Sequence, residues 1–319
     1  METFYVREEE ALPSRWGKPP GERTVEELLD FGVVIVDKPQ GPTSHQVSAW
    51  VRDMLGVGKA AHAGTLDPNA HGVLPVALGR AVRLVDMVHL GSKEYVALMV
   101  LHADAPEKAV REALREFVGE IYQVPPVKSA VSRRPRVRRV FRIDVLEIEG
   151  RYVLFKAVVE SGTYIRAICR DVGTLLGTGA SLRELRRTRT ANMGEEMAVR
   201  LQDLLEASYA YRELGNDSLL RGLLHPAELM VEHMKKVIVK DTAVDALAHG
   251  ADLSVRGIVK VSEGVSRGDW VAVLTLKGEL VMVGKALMTS AEMVEEGSGI
   301  AVRNERTFMR PGVYPSTWK

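Results

Sequence analysis

Gly32-Val-Val-Ile-Val-Asp37-Lys-Pro-Gln-Gly-Pro42-Thr-Ser44 holds a strand, a forced turn and the start of a helix. The β-branched run Gly32–Asp37 predicts a strand buried on both faces. Two prolines and Gly41 end it in a turn. Thr43 and Gln46 have capping-box spacing, and Val47, Trp50, Val51, Met54 and Leu55 recur on one helical face. Further on, Ala60 to Arg83 is rich in Gly and Pro, with little periodicity before Gly72-Val-Leu-Pro-Val-Ala77. It reads as a loop between well-formed elements, the usual setting for chemistry on a rigid scaffold. A strand over Tyr95–Ala103 follows, then a short amphipathic helix carrying Val110, Leu114, Phe117 and Val118. Phe141–Ile148 and Tyr152–Val159 form a hairpin with Glu149-Gly150 as its turn. Tyr164–Leu176 reads as a helix burying Ile165, Ile168, Cys169, Val172 and Leu176. Strands and helices without regular βαβ alternation predict the α+β class, not a doubly wound parallel sheet.

Near residue 235 the pattern changes. Lys236–Lys240, Leu253–Val261, Trp270–Leu276 and Leu280–Gly284 read as short strands, with Lys277-Gly278 as a tight hairpin turn. Short strands with regular turns predict a small β barrel or sandwich. The boundary falls between about Leu219 and Lys235, after a helix-rich connector. The first twenty-odd residues, with Pro13, Gly17, Pro19 and Pro20, read as an irregular arm whose Phe4, Tyr5 and Trp16 argue for packing on a folded domain. The chain has 319 residues, enough for two domains. Its 43 Lys and Arg against 42 Asp and Glu mean that nucleic-acid affinity must come from a local patch. A single cysteine, Cys169, excludes an intramolecular disulfide framework and Cys-paired zinc or iron–sulfur sites. No apolar run approaches a membrane span, and the start lacks the layout of a secretory signal, so a soluble protein of a reducing compartment is expected.

The segment His62-Ala-Gly-Thr-Leu-Asp67-Pro-Asn-Ala-His71-Gly-Val-Leu-Pro75 is the most informative for chemistry. Alone, Asp67-Pro68 is a turn signal with a capping Asp. Gly162-Thr-Tyr164-Ile-Arg166 sits where a strand hands over to a helix, so its side chains can project into a cleft. An arginine beside a partly desolvated Asp favours the ionised carboxylate. Asp, Arg and two tyrosines without metal ligands suit a nucleophilic or charge-stabilising carboxylate working on a planar ring. His62 and His71 lack the i, i+4 geometry of a zinc pair, and no metal site is expected.

The strings Asp37-Lys-Pro39, Gly41-Pro-Thr-Ser44, Gly64-Thr-Leu-Asp67-Pro, Gly72-Val-Leu-Pro75, Lys93-Glu-Tyr95, Thr163-Tyr-Ile-Arg166 and Leu185-Arg-Arg187 run in collinear order. They resemble TruB-type RNA pseudouridine synthases, and the whole chain is similar to the archaeal dyskerin-type branch that serves box H/ACA guide-RNA particles. The resemblance implies a catalytic domain with a mainly antiparallel mixed sheet over 31–230 and a PUA domain over 235–310. It leaves an arm at 1–30, expected to pack on the PUA domain with Val313–Trp318, and a tail at 311–319. It implies Asp67 as the catalytic aspartate, Tyr95 as the tyrosine stacking on the target base, and Tyr164 and Arg166 as the active-site tyrosine and the carboxylate's partner. His62 matches a histidine that helps turn out the nucleotide in the tRNA-modifying relatives. The carboxylate adds to ribose or base, or stabilises charge while C2′ loses a proton; the residues do not choose. The reaction is an isomerisation, so no cofactor is required. The loosened ring calls for a dry, aromatic-lined pocket, and a stacked uridine must first be flipped out.

Lys128, Arg133, Arg134, Arg136, Arg138, Arg139 and Arg142 lie close together with no acidic residue between them. Such density suits phosphates, although a solvated basic loop or strand edge would look the same. The resemblance makes this the thumb loop that closes over substrate RNA. Leu185-Arg-Arg187 in isolation is a common helical surface pattern. Lys235, Lys236, Lys240, Arg256, Lys260 and Arg267 give the C-terminal domain candidate phosphate contacts. The implied partners are box H/ACA guide RNA, rRNA and, as a related activity, the TΨC loop of tRNA, together with the small protein subunits of the particle and no membrane. The expected location is the cytoplasm. Two rivals stand: a stand-alone tRNA pseudouridine synthase, and a non-catalytic RNA-binding scaffold.

Overall fold

The computed structural model describes residues 3–8, 15–124 and 134–316. The chain divides into two compact units, one of residues 33–224 and one of residues 1–32 with 225–319. The larger unit is built on strands β1 (Phe31–Lys38), β2 (Ala60–His62), β3 (His71–Gly79), β4 (Lys93–Leu101), β5 (Gly119–Gln123), β6 (Arg136–Glu149), β7 (Tyr152–Val159) and β8 (Ala180–Thr190). Its helices are α1 (Ser44–Leu55), α2 (Glu107–Arg115), α3 (Ile165–Leu176) and α4 (Leu201–Leu214). The sheet order is β1-β3-β8-β4-β7-β6-β5, with β2 paired to β3. β3 and β8 are parallel, whereas β8-β4-β7-β6-β5 is antiparallel throughout. The fold is α+β with a mainly antiparallel mixed sheet.

β1 is buried on both faces, Val33 to Val36 being wholly inaccessible. α1 begins with the predicted capping box: Gln46 N–H donates to Thr43 Oγ1 (3.1 Å) and Thr43 N–H to Gln46 Oε1 (2.8 Å). Its buried stripe is Val47, Val51 and Leu55, while Trp50 is exposed, because the stripe is narrower than the expected face. Phe117 and Val118 lie beyond the end of α2 and Val118 is exposed, so the amphipathic stretch is shorter than the apolar spacing suggests. α3 packs Ile165, Ile168, Cys169 and Val172 into a cluster with Phe155, Ala157 and Met99 of the sheet.

Three local readings are corrected. The region from Ala60 is not one long loop, since β2 and β3 pair and only residues 63–70 join them. Leu185-Arg-Arg187 lies on strand β8, not a helix; across the pleat, adjacent side chains take opposite faces. The β6–β7 hairpin starts at Arg136, ahead of the predicted Phe141, because Arg136–Val140 pairs with Gly119–Gln123. Arg136, Arg138 and Arg139 are therefore strand residues and not part of a loop.

In the smaller unit a mixed sheet runs Phe4–Val6, Ile258–Ser262, Lys235–Val239, Trp270–Leu274, Leu280–Ala286, Ile300–Thr307, Leu253–Ser254. The predicted strand Leu253–Val261 is split by a 3₁₀ turn at Val255–Gly257, and Asp241–Ala248 and Ser290–Glu295 are helices that alternation did not reveal. Val237, Val271, Val281 and Val302 share one core with Tyr314 of the terminal segment. The arm joins the same sheet edge through Phe4↔Ser262 pairing, and Lys277 Nζ donates to the carbonyls of Trp16 (2.7 Å) and Gly17 (3.0 Å).

Candidate active site

Asp67 sits in the connection between β2 and β3, and Arg166 in the first turn of α3. The fold brings them together: Arg166 Nη2 lies 2.9 Å from Asp67 Oδ2. The two side chains are 45% and 56% exposed, so the pair faces solvent and is not sealed in the expected dry pocket. At that exposure an ion pair contributes at most about 1 kcal/mol to stability. Its value is positional.

The backbone around Asp67 is fastened from three sides. Ser44 Oγ accepts from Leu66 N–H (2.9 Å) and lies 3.0 Å from Leu66 O, to which it donates. Lys38, fully buried, donates from Nζ to the carbonyls of Pro39 (2.9 Å), Pro68 (3.4 Å) and Ala70 (2.8 Å). Arg187 is 1% exposed and spreads its guanidinium over three carbonyls: Nε to Val73 (2.9 Å), Nη2 to Gly64 (2.9 Å) and Nη1 to Thr65 (3.4 Å). Nothing in the local sequence around Lys38, Ser44 or Arg187 marks these tasks, since each reaches carbonyls of the Gly64–Val73 stretch only through the fold. Gly72 is obligatory here, with φ +107° and a Cβ that would lie 2.2 Å from Arg187 O. Arg186, the neighbour of Arg187, turns the other way and holds Asp37 through both carboxylate oxygens (3.1 and 3.3 Å).

Around this clamp stand the remaining predicted residues. Tyr95 lies directly across from Arg187, next to a register slip between Glu94 and Tyr95. Such irregularities in a ladder re-aim side chains. Tyr164 is the N-cap residue of α3, two positions before Arg166, and its backbone is held by buried Gln123. His62 ends β2 with its ring half-buried and edge-on to His45, centroids 4.7 Å apart. Burial, and then the charges of His45 and Arg187, push its pKa down to about 4. His62 is thus a neutral ring near pH 7.

Of the candidate RNA-binding cations, Lys128 and Arg133 lie outside the described residues. Arg134 is exposed and Arg136 partly so. Arg138 is engaged internally, donating from Nε to Gly162 O (3.3 Å) with Nη1 3.7 Å from Glu160. Arg139 is exposed and lies over the Phe141 ring, 5.9 Å from its centroid. In the smaller unit Lys235 pairs with Asp269, Lys240 with Glu8 and Arg267 with Glu292. Among the described residues no group of three His, Cys, Asp or Glu side chains is placed to hold a metal.

Lys93 gives a testable consequence of burying cations beside Arg187. Its Nζ donates to Val88 O (3.0 Å) and Gly91 O (2.8 Å), and burial, then the Arg187 charge, pulls its pKa down to about 7. Between pH 7 and the ordinary lysine pKa the unfolded chain binds a proton that folded Lys93 has released. Stability therefore rises with pH across that window and is lost as pH falls through it. Lys93→Met removes up to about 1.4 kcal/mol per pH unit of that slope. Urea unfolding at pH 7, 8 and 9 measures it, and an unchanged slope would mean that Lys93 stays charged in the fold.

Comparison with known proteins follows the same geography. The model of the N-terminal domain of TruB family pseudouridylate synthases matches residues 52–165, and that of the tRNA pseudouridylate synthase B C-terminal domain matches residues 166–232. A PUA domain model matches 235–308 and the DKCLD domain model 1–48. A probable tRNA pseudouridine synthase B of Methanocaldococcus jannaschii is 50% identical, over 100% of this chain and 95% of its own length. Its counterpart in Pyrococcus furiosus is 52% identical, over 95% of this chain and 90% of its own. Among solved structures, the chain resembles one from a Cbf5-Nop10-Gar1 complex with a TM-score of 0.96 and 50% identity, covering 99% of this chain and 97% of that one. It also resembles a chain from an H/ACA RNP bound to a substrate RNA containing 2′-deoxyuridine, with a TM-score of 0.94, 48% identity, and coverage of 100% and 98%.

Proposed function

This chain belongs to the TruB family of pseudouridylate synthases, and we propose that it is the catalytic subunit of a box H/ACA guide-RNA particle, isomerising uridine to pseudouridine in rRNA. The observation that carries the assignment to a particle is the near-complete superposition on a chain solved in an H/ACA RNP with substrate RNA. Its partners are then guide RNA, substrate RNA and small protein subunits of the kind in the Cbf5-Nop10-Gar1 complex, and its location is the cytoplasm. The domain limits proposed are a catalytic domain over 31–230 and a PUA domain over 235–310, flanked by the arm and the tail.

In the reaction the bond between ribose C1′ and uracil N1 breaks, the ring turns, and C1′ bonds to C5. The C5 proton leaves and N1 gains one, so atoms and electrons balance without a cofactor. Asp67 is the catalytic carboxylate in this reading, and Arg166 holds it aimed. Tyr95 stacks on the base and Tyr164 closes the other side of the ring. His62, uncharged, suits contact with a base more than with a phosphate. The open Asp67–Arg166 pair fits a site whose enclosure is completed by the RNA it binds, since a flipped uridine brings its own surface to cover the carboxylate.

A second reading has its own support, because the curated relatives are called probable tRNA pseudouridine synthases. The deciding experiment supplies purified protein with unmodified tRNA, and separately supplies the assembled particle with an rRNA fragment and a guide. Product in the second arm only is the expected result. Product on tRNA alone, with none on rRNA, would replace the guided reading by the stand-alone one. A non-catalytic scaffold would yield none in either.

The proposed RNA-binding cations Lys128, Arg133, Arg134, Arg136, Arg138 and Arg139 separate by what they touch. Among the described residues Arg138 is tied to Gly162 and Glu160 and Arg139 lies over Phe141, whereas the side chains of Arg134 and Arg136 form neither an ion pair nor a ring contact there, so these two are the sharper probes. Replacing both by Gln is expected to weaken substrate binding and to lower the slope of log affinity against log salt by about one to two. Filter binding over a salt series reads this, and an unchanged slope argues against phosphate contact there.

A further inference from the structure

Gln123 is the last residue of β5 and is buried to 4% exposure, far along the chain from the catalytic turn. Both ends of its amide meet the backbone of one residue. Gln123 Nε2 donates to Tyr164 O (3.1 Å), and Tyr164 N–H donates to Gln123 Oε1 (2.9 Å). Tyr164 has extended backbone geometry (φ −98°, ψ 104°) and no side-chain cap, and Gln123 fixes this N-cap residue by its own N–H and carbonyl. Two residues later the chain presents Arg166 to Asp67.

The neighbouring strand reaches the same turn. Gln123 pairs with Arg136 across β5–β6, and on β6 Arg138 donates to Gly162 O while Glu160 Oε2 accepts from Arg139 N–H (3.0 Å). Residues 160–164 are therefore held at several points by the strand pair that carries the arginines.

We propose that Gln123 is a positioning residue, setting the Tyr164–Arg166 turn and through it the Arg166–Asp67 pair, so that the arginine-bearing strands and the catalytic ion pair move as one piece. The inference rests on the assigned roles of Asp67 and Arg166. Truncating Gln123 removes the Oε1 acceptor of the part-buried Tyr164 N–H and one donor to the Tyr164 carbonyl, which keeps the N–H groups of Ala167 (3.1 Å) and Ile168 (3.2 Å), and the turn relaxes. A shift of an ångström at a catalytic group is costly.

The test has two arms on the full chain, the kinetic one in the assembled particle. Gln123→Ala is expected to lower the single-turnover rate of pseudouridine formation about tenfold, with substrate affinity unchanged within about twofold. In an Arg166→Lys background the same replacement is expected to cost less than about twofold, because residues acting through one another are not additive. A purely structural residue would give the same loss in both backgrounds, and that result overturns the proposal. The second arm needs no activity: in Gln123→Ala the amide of Tyr164 is expected to exchange with solvent at least about tenfold faster while amides in β7 keep their protection. Unchanged Tyr164 exchange overturns the proposal even if the RNA substrate has been wrongly assigned. General acceleration over the whole sheet also overturns it, because Gln123 would then serve the fold at large.

Discussion

Asp67→Asn is expected to release no measurable tritium from RNA labelled at C5 of the target uridine, while binding that RNA as the parent does. The replacement keeps the shape of the side chain and one oxygen for Arg166, 2.9 Å away, but removes the charge. It leaves the frame alone, because Ser44, Lys38 and Arg187 hold the backbone on either side of Asp67 and not its carboxylate. Whether the carboxylate attacks, or stabilises charge as the glycosidic bond loosens, its charge is what the transition state uses. The rate is therefore expected to fall by at least about a thousandfold, the scale for removing an aimed charge at a reacting centre. Filter binding of guide and substrate should change by less than about twofold, since an exposed pair adds little to the grip on RNA. Turnover within tenfold of the parent would remove Asp67 from the chemistry and revive the scaffold reading.

The second large effect is expected at Arg187, which touches no solvent and, in this reading, no substrate. Arg187→Ala removes the guanidinium donor from the carbonyls of Gly64 and Val73 in a buried setting and from that of Thr65 at its edge. Unpaired buried groups cost about 1–3 kcal/mol each, so a loss of about 4 kcal/mol is expected after partial relaxation. For a unit of this size that lowers the melting temperature by about 10 °C. Arg187→Lys should recover little of it, because an ammonium is a point donor and cannot span three carbonyls as the planar fork does. In the protein that remains folded, the loop carrying Asp67 has lost its inner anchor. Single-turnover rates are expected to drop about ten- to a hundredfold, with RNA affinity preserved. A melting temperature within 2 °C of the parent would show that the guanidinium is dispensable to the loop.

The two residues differ in how far the sequence betrays them. Asp67 stands in a Gly- and Pro-rich string whose composition already marks a connection between elements. Arg187 sits in Leu185-Arg-Arg187, where one-dimensional reading finds two adjacent cations and assigns both to a surface. Strand pairing separates them, Arg186 toward Asp37 and Arg187 inward to the loop carbonyls. Gln123 offers no local signal at all, because its partner is the backbone of a residue distant in sequence.

What the sequence determined by itself is local and short in range. Apolar runs set β1 and α3, the Thr43–Gln46 box set the start of α1, and the dense turn signals set the short strands of the smaller unit, since each depends on neighbours within a few residues. The collinear strings set the family. The tertiary structure alone decided that the Arg166 guanidinium reaches the Asp67 carboxylate, that three buried basic side chains, Lys38, Lys93 and Arg187, donate to backbone carbonyls and, among the described residues, to no carboxylate, and that Arg136, Arg138 and Arg139 ride on a strand. These depend on sheet order and register, which join segments far apart in the chain, and a side chain's face follows from that register.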